Sequence, residues 1–404
     1  MNKRNGKQMI TINMMSSATK VKGQGVGSAY TEQLKLMQER LSDTFEIVVN
    51  KSGAADIIHY HTVDFGHYMQ NRFNFDKSVT VGSVHFLPET LEQSIKLPRP
   101  AKKIFYQYLL DFYRRMDYLV VVNPYFIDRL QRYGIDPERV QYIPNFVSYE
   151  NFFPEPPARK GEIRREYEID QDAFVVLTVG QLQTRKGFWD FLALAKKMPE
   201  VQFVWAGGFS FKGITDGYKE IKEAIEEDCP PNCKFLGIVD REKMNDIYNM
   251  ASVMFLPSFE ELFPMTILES MNCRVPILLR DIDIYHNILD GFYLGADGLD
   301  GFEAAIRRLK DDPAYYETYA QKAADGHGFY SEEHVASIWK DFYTRIYAHK
   351  PPQKRSKRMK HVKHVKHVKT GHGVKLTKYE KREKRGKSEK HTKHVKAVKP
   401  IEKI

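Results

Sequence analysis

The chain has 404 residues, of which 42% are hydrophobic and 28% charged, and its formal net charge is +10 at pH 7. The length favours two domains with additional sequence. No run of about 18 apolar residues occurs, and the apolar stretch at 9–15 is broken by polar residues, so the sequence predicts neither a membrane span nor a signal peptide.

The charge is unevenly distributed along the chain. Residues 351–404 contain 20 Lys or Arg and 4 Asp or Glu, a net charge of +16, which leaves 1–350 with 42 basic and 48 acidic residues and a net charge of −6. The body lacks the basic face of a nucleic-acid-binding domain, so we expect no nucleic acid as a partner. Cys229, Cys233 and Cys273 form neither a disulfide framework nor a metal-binding pattern, which favours reduced thiols in a cytoplasmic protein.

Apolar runs that indicate buried strands alternate with helix-like segments. They lie at 9–14, 45–49, 56–61, 78–86 and 118–122 in the first half, and at 174–179, 201–206, 234–239, 253–256 and 275–279 in the second. Runs rich in Val, Ile and Leu between helical segments are typical of parallel sheets buried on both faces. The sequence therefore predicts an α/β protein with two doubly wound, Rossmann-like domains that face a cleft.

Composition also predicts the domain boundaries. The proline-rich segment 153–161 has the composition of a linker between domains at 1–155 and 156–330. Apolar residues at helical spacing then predict a final helix within 331–350. From 351 to 404 the chain is rich in Lys and His, and we expect this tail to be disordered because it cannot bury enough apolar surface.

The segment 257–270, PSFEELFPMTILES, is the most specific feature of the sequence. A strand runs into an acidic turn, and Pro264 marks the start of a helix. The N-terminus of a helix after a parallel strand attracts phosphate. With Glu261 in the turn and Glu269 about two helical turns further on, one carboxylate can face a sugar while the other reaches a ribose. Either residue alone could simply complement the helix dipole.

This segment resembles the signature of the retaining glycosyltransferases of family four, in which an acidic residue and a Glu are separated by seven residues. The resemblance implies the GT-B fold, a UDP-sugar as donor substrate, no cofactor, no metal ion, and a final helix that crosses back onto the first domain. The 1–155 domain would bind the acceptor and the 156–330 domain the donor. The variant at 260–269 is similar to the bacterial branch that glycosylates diacylglycerol lipids.

The resemblance implies further donor contacts in the second domain. Residues 180–187 look like the family's Gly-Arg-Leu…Glu-Lys-Gly element, in which Arg and Lys hold the donor pyrophosphate. Lys186 matches the Lys, Gln181 replaces the Arg, and Arg185 can compensate by stabilising the charge of the leaving diphosphate. Solvated turn residues are the alternative. The other expected donor contacts are Gly180, Gly207, Ile238, Phe263, Pro264, Met265, Thr266 and Glu269.

The first domain supplies the acceptor side in this interpretation. The glycine-rich turn at 22–28 gives Gly25, Val26 and Gly27 as an acceptor or phosphate loop, which is weak evidence by itself. His85 resembles the histidine of the family's Val-His-Asp turn, which lies near the reacting sugar, although Phe86 replaces the Asp. We therefore expect Glu261, His85 and Lys186 to be catalytic.

Two further histidines end the strand at 56–61. His59 and His61 point the same way on a strand, but no third metal ligand is evident in the sequence. We expect His61 to line the cleft and His59 to be structural. His-rich tracts such as the His-Val-Lys repeats at 361–369 can bind metal, but lysine dominates the tail.

The segment 96–115 combines basic clusters with an aromatic-rich helix, which suits a membrane interface. A buried helix with basic ends is the alternative. The +16 tail favours attraction to an anionic membrane surface, so we expect a cytoplasmic protein that is peripheral on the inner face of the cell membrane.

These features predict a hexosyltransferase that moves glucose or galactose from a UDP-sugar to a monoglycosyl-diacylglycerol. The product would be an α-linked diglycosyl lipid of the type that anchors lipoteichoic acid. A soluble or polysaccharide acceptor is the first alternative. The second is a polyanion-binding protein that acts through its basic tail.

Overall fold

The computed structural model describes residues 3–4, 7–17, 25–53, 55–73, 78–88, 98–209 and 217–349. A two-residue antiparallel pairing, Lys3–Arg4 with Lys7–Gln8, precedes the first domain. The predicted tail at 351–404, residues 22–24 of the glycine-rich turn and residues 96–97 of the basic segment lie outside the described residues.

Within that part of the chain, the first half forms one six-stranded sheet in which every pair is parallel. Its order is β2-β1-β3-β4-β5-β6, where the strands are β1 (Ile10–Met15), β2 (Phe45–Val49), β3 (Ile57–Tyr60), β4 (Val79–Val84), β5 (Tyr118–Val121) and β6 (Val140–Tyr142). The helices are α1 (Gly25–Arg40), α2 (Phe65–Phe73), α3 (Arg99–Arg115) and α4 (Tyr125–Arg132).

The second half forms another six-stranded parallel sheet, again counted over the described residues, with the order β9-β8-β7-β10-β11-β12. The strands are β7 (Val175–Val179), β8 (Gln202–Ala206), β9 (Cys233–Gly237), β10 (Val253–Leu256), β11 (Ile277–Arg280) and β12 (Leu294–Ala296). The helices are α5 (Pro157–Glu166), α6 (Phe188–Lys197), α7 (Tyr218–Glu227), α8 (Met244–Asn249), α9 (Met265–Asn272), α10 (Asp283–His286), α11 (Gly298–Asp311) and α12 (Pro313–Phe329).

The central strands are buried on both faces, which explains why they consist of nearly continuous Val, Ile, Leu and Phe. Each sheet has an apolar cluster on either side. The predicted pair of doubly wound domains is confirmed.

The final helix, α13 (Glu332–Ala348), begins at Ser331, whose hydroxyl accepts a hydrogen bond from the backbone N–H of His334. Its buried stripe packs against the first sheet, not the second, in a cluster that contains Ile12 and Met14 of β1. The members from α13 are Val335, Ala336, Trp339, Phe342, Tyr343 and Ile346. The C-terminal end of the described chain is therefore part of the N-terminal domain's core.

Sequence-based boundaries differ from the structure in three places. The predicted linker at 153–161 is wrong in its second part, because Pro157 begins α5, a position where its missing N–H costs no helical hydrogen bond. Strands β6 and β12 were not predicted, since three-residue edge strands carry too little pattern. His85 and Ile238 follow their strands and do not belong to them.

Candidate functional site

The order of the second sheet places two loops side by side. Neighbouring strands β7 and β10 form its topological switch point, where successive connections leave in opposite directions. In open α/β sheets the crevice at the carboxyl ends of such strands is where ligands bind. The loop 180–187 leaves β7 and the acidic turn 257–264 leaves β10. The two segments that the sequence selected independently therefore meet at one crevice.

Glycines allow these segments to approach closely. Gly187 has φ 77°, and a Cβ atom there would lie 2.4 Å from the carbonyl oxygen of Pro257. Gly207, with φ 140°, follows β8, and its Cβ would lie 1.8 Å from the carbonyl oxygen of Gly180. Only glycine fits at these two positions. Their role is to bring the strand ends together.

Lys186 and Glu261 form an ion pair across the crevice. Their side chains are only 13% and 8% exposed. Burial lowers the pKa of Lys186 and the carboxylate of Glu261 opposes that effect. Two of the three predicted catalytic residues are thus in direct contact.

Arg185 lies beside this pair. Its Nη1 donates to the carbonyl oxygen of Glu260 at 3.3 Å, and its Nε is buried without a partner among the described residues. Gln181, at the position of the family's Arg, accepts a hydrogen bond at its Oε1 from Nε2 of Gln183. The loop therefore presents two cations, Arg185 and Lys186, and Gln181 is engaged within the loop.

The start of α9 faces the same crevice with its free backbone N–H groups, because Pro264 at the N-cap offers no side-chain cap. Phe263 and Met265 are buried in the apolar core of the second domain, so only their backbone groups can reach a donor. Thr266 and Ser258 have buried hydroxyls without partners in the described part of the chain. A helix terminus with unpaired donors is suited to an anionic group.

Glu269 is enclosed in a network that the sequence did not predict. Nη1 of Arg241 donates to its Oε1 at 2.8 Å, and the hydroxyl of Tyr248 donates to its Oε2 at 2.6 Å. The other end of the guanidinium donates to Glu32 on α1 at 2.7 Å. A ribose hydroxyl would have to use the remaining lone pairs of Glu269 or displace Arg241.

Ile238 lies at the outer end of the crevice. It follows β9 and is 68% exposed. A Cβ on Gly208 would lie 3.0 Å from Cγ1 of Ile238. The exposed backbone beside it is where the sequence expects a nucleobase.

Two asparagines of the first domain hold the acidic turn from the other side. Nδ2 of Asn123 donates to the carbonyl oxygens of Leu262 and Ile284 at 3.1 and 2.8 Å. Nδ2 of Asn145 donates to the carbonyl oxygen of Phe263 at 3.3 Å. Sequence reasoning missed both asparagines, although Asn123 follows a predicted parallel strand, where side chains reach the crevice.

The first domain contributes a histidine-lined cavity of about 20 Å³ at the carboxyl ends of β3 and β4. It is lined in part by Tyr30, His61, Ser83, His85 and Trp339. Three of these lining residues have a polar atom that is buried without a partner among the described residues: the Tyr30 hydroxyl, His61 Nε2 and His85 Nε2.

Gly25, Val26 and Gly27 form the first turn of α1, and the loop before them lies outside the described residues. In the described ranges no group of three or more His, Cys, Asp or Glu side chains is suited to hold a metal ion.

Comparison with known proteins identifies the class. The profile for glycosyl transferases group 1 matches residues 159–325, and that for glycosyltransferase family 4 matches residues 41–151. Alpha-galactosylglucosyldiacylglycerol synthase of Streptococcus pneumoniae is 44% identical over 84% of this chain and 90% of its own. Processive diacylglycerol alpha-glucosyltransferase of Acholeplasma laidlawii is 24% identical over 67% of this chain and 78% of its own.

Solved structures share the fold. Sucrose-phosphate synthase from Thermosynechococcus elongatus has a TM-score of 0.68 at 17% identity and covers 84% of this chain and 99% of its own. An Anabaena protein in complex with UDP and glucose has a TM-score of 0.66 at 13% identity, with 83% and 100% coverage. The chain belongs to family 4 of the glycosyltransferases, with the GT-B fold. The predicted resemblance to the glycosyl-diacylglycerol synthase branch is confirmed.

The burial of His85 in the cavity wall determines how its protonation affects the free energy of unfolding at acid pH. Burial lowers the pKa of His85 to about 4 from 6.5. Between these values the unfolded chain binds more protons than the folded protein, so the free energy of unfolding falls as pH drops below about 6.5. Between about pH 7 and about pH 5, the free energy of unfolding measured with urea should fall by about 2 kcal/mol more for the wild type than for His85→Gln. His334→Gln, at an exposed position, should behave like the wild type. Equal losses in wild type and His85→Gln would show that His85 is not held neutral.

Proposed function

We propose that this protein transfers a hexose from a UDP-sugar to a monoglycosyl-diacylglycerol and forms an α-linked diglycosyl-diacylglycerol, of the type that anchors lipoteichoic acid. The observation that carries the proposal is its 44% identity to a synthase whose name describes a galactosylglucosyl lipid, over 90% of that protein. The crevice supports the proposal because it has the charges that a nucleotide-sugar donor requires.

The donor would lie with its diphosphate between the start of α9 and the loop 180–187. Lys186, Arg185 and the free N–H groups of α9 would then stabilise the negative charge that develops on the leaving UDP. Because these groups are cationic or carry partial positive charge, we infer that transfer needs no divalent ion. Ile238 and Glu269 would contact the nucleoside, in accordance with the sequence-based expectation.

The hexose would lie between the two domains. Glu261, in the turn that Asn123 holds, would accept hydrogen bonds from donor-sugar hydroxyls, and His85 and His61 would face it from the first domain. We infer that the donor and acceptor approach the same face of the sugar, so that an α-configured UDP-sugar yields an α-glycoside.

The activity can be measured directly. Full-length protein is incubated with UDP-galactose or UDP-glucose and vesicles containing monoglucosyl-diacylglycerol, and the lipid is analysed by mass spectrometry and proton NMR. We expect an α-linked diglycosyl lipid, undiminished by EDTA. Glu261→Ala should reduce turnover by about 10²-fold, because a charge-assisted contact to the sugar is lost in the transition state.

Lys196→Ala is the control, since this lysine forms an exposed ion pair with Asp228 on the outer surface of the domain. A β-linked product, or transfer to a soluble sugar but not to the lipid, would contradict the proposal.

We further propose that α2 and the start of α3 contact the membrane. Phe65 and Ile104 are 69% and 73% exposed. Rings of Tyr68 and Tyr108 lie between them, with centroids 5.2 Å apart, and Phe65 stacks on Tyr68. Ile104 shares a helix face with Tyr108. The second half of α3 is buried in the core, so we propose membrane contact only for its first half.

Phe65, Tyr68, Ile104 and Tyr108 form an aromatic patch. Its contribution to membrane binding and that of the basic tail should differ in their dependence on salt concentration. None of the described helices is long and apolar enough to cross a membrane. Attachment through the tail should weaken with salt, because exposed charges are screened over about 8 Å at physiological ionic strength. Attachment through apolar side chains should persist.

We therefore expect Phe65→Ser with Ile104→Ser to lower vesicle binding in high salt by at least roughly tenfold, because an apolar side chain that inserts fully into the membrane contributes about 1.5–3 kcal/mol. Vesicle sedimentation measures this, and UDP-sugar hydrolysis without acceptor should remain. Leu299→Ser, at an exposed apolar residue of α11, is the matched control. Unchanged sedimentation of the double variant would exclude this patch as the membrane contact.

A further inference from the structure

A line of hydrogen-bonding side chains runs from the final helix to the histidine-lined cavity. Nε2 of Gln33 donates to the Tyr343 hydroxyl at 3.5 Å, and that hydroxyl lies 2.6 Å from Nδ1 of His59. Nε2 of His59 lies 2.9 Å from the Ser83 hydroxyl, which lies 3.3 Å from Nδ1 of His61. We call these five residues the relay.

Every member of the relay is buried. Burial lowers the pKa of His59 to about 3 and that of His61 well below its usual value, in both cases reinforced by neighbouring histidines. Both rings are neutral near neutral pH. Each therefore carries one ring proton, and the other nitrogen is an acceptor.

The direction of the hydrogen bonds follows from the first donor. An amide nitrogen can only donate, so the Tyr343 oxygen accepts from Gln33. The Tyr343 proton can then point to His59 Nδ1 at 2.6 Å or to Sδ of Met14 at 4.0 Å. The nitrogen is the closer and stronger acceptor. His59 thus accepts at Nδ1 and carries its proton on Nε2.

We infer the remaining two hydrogen bonds from this start. Nε2–H of His59 donates to the Ser83 oxygen, and the Ser83 hydroxyl donates to Nδ1 of His61. In this arrangement the proton of His61 is on Nε2. That atom is buried without a partner among the described residues, and His61 lines the cavity. An unpaired buried N–H is costly unless a ligand accepts from it.

We propose that Tyr343 is a positioning residue that, through His59 and Ser83, holds His61 in its Nε2–H form, so that His61 donates a hydrogen bond to a sugar oxygen. This proposal rests on the proposed function, because that function supplies the sugar. The cavity has room for one hydroxyl-sized group. His85 Nε2 and the Tyr30 hydroxyl provide further partners for such a group.

The relay also gives the final helix a role in the site. Tyr343 is stacked on Trp339 of the same helix, with ring centroids 5.2 Å apart, which fixes its ring. Phe in its place would keep this packing and lose only the hydroxyl. Tyr343→Phe therefore tests the relay with little change in the core.

The tautomer of His61 can be read by nitrogen-15 NMR of the full-length protein with labelled histidine, from ring-nitrogen shifts and two-bond couplings. His61→Gln identifies the signal. We expect Nε2–H in the wild type and a mixture of tautomers in Tyr343→Phe. Transfer turnover should fall roughly three- to tenfold, the effect of losing one oriented hydrogen bond. The Kd for UDP should stay within about twofold, since the relay lies outside the second domain.

Tyr347→Phe, on the same helix but outside the relay, should leave the tautomer and turnover unchanged. If Tyr343→Phe does not fold, Ser83→Ala interrupts the relay two steps closer to His61 and should also give mixed tautomers. An Nδ1–H form in the wild type would overturn the proposal, as would a single Nε2–H form in a folded relay variant. Because the tautomer is measured without substrate, absence of lipid product would overturn the proposed function alone.

Discussion

The lysine at the end of the loop 180–187 can be buried only because a carboxylate lies against it. Moving a charged amine out of water is costly, and a single buried charge without a partner is strongly destabilising. Glu261 provides the partner, and both side chains are almost completely enclosed. The position of the acidic turn is therefore coupled to that of the loop. The glycine at 187, which lets the loop meet Pro257, is a consequence of the same requirement.

Contacts between the domains extend this arrangement. Asn123 and Asn145 bind backbone carbonyls of the acidic turn, and Arg241 joins Glu269 in the second domain to Glu32 in the first. Each of these contacts ends on the signature segment. A change in the separation of the domains would consequently displace the segment that carries Glu261 and Glu269. The segment 257–270 is held from both sides of the cleft, not by its own domain alone.

Much of the fold could be predicted from the sequence, because central parallel strands are buried on both faces and their apolar runs are unambiguous. The edge strands β6 and β12 were missed since their three residues leave no pattern. Pro157 was assigned to a linker because proline composition does not distinguish a loop from the first turn of a helix.

Glu261 and Lys186, which sequence motifs select, lie in contact in the structure, and their catalytic roles stay predictions. Residues that act through tertiary contact were not predictable in this way. Arg241 reaches Glu269 across 28 positions, and Tyr343 reaches His59 across 284. No local pattern marks such pairs. His59, interpreted as structural from the sequence, is buried and lies within hydrogen-bonding distance of Ser83, and Ser83 in turn of His61, which lines the cavity.

If Lys186 stabilises the diphosphate as proposed, the bound donor takes the place of Glu261 as its partner. Calorimetry of UDP binding to the wild type, Lys186→Ala and Glu261→Gln tests it most directly. We expect Lys186→Ala to weaken UDP binding by about tenfold or more, because a charge-assisted contact is lost. Glu261→Gln should bind UDP at least as tightly as the wild type, because the competing carboxylate is removed. An unchanged UDP affinity in Lys186→Ala would contradict the claim and make the pair a purely structural ion pair.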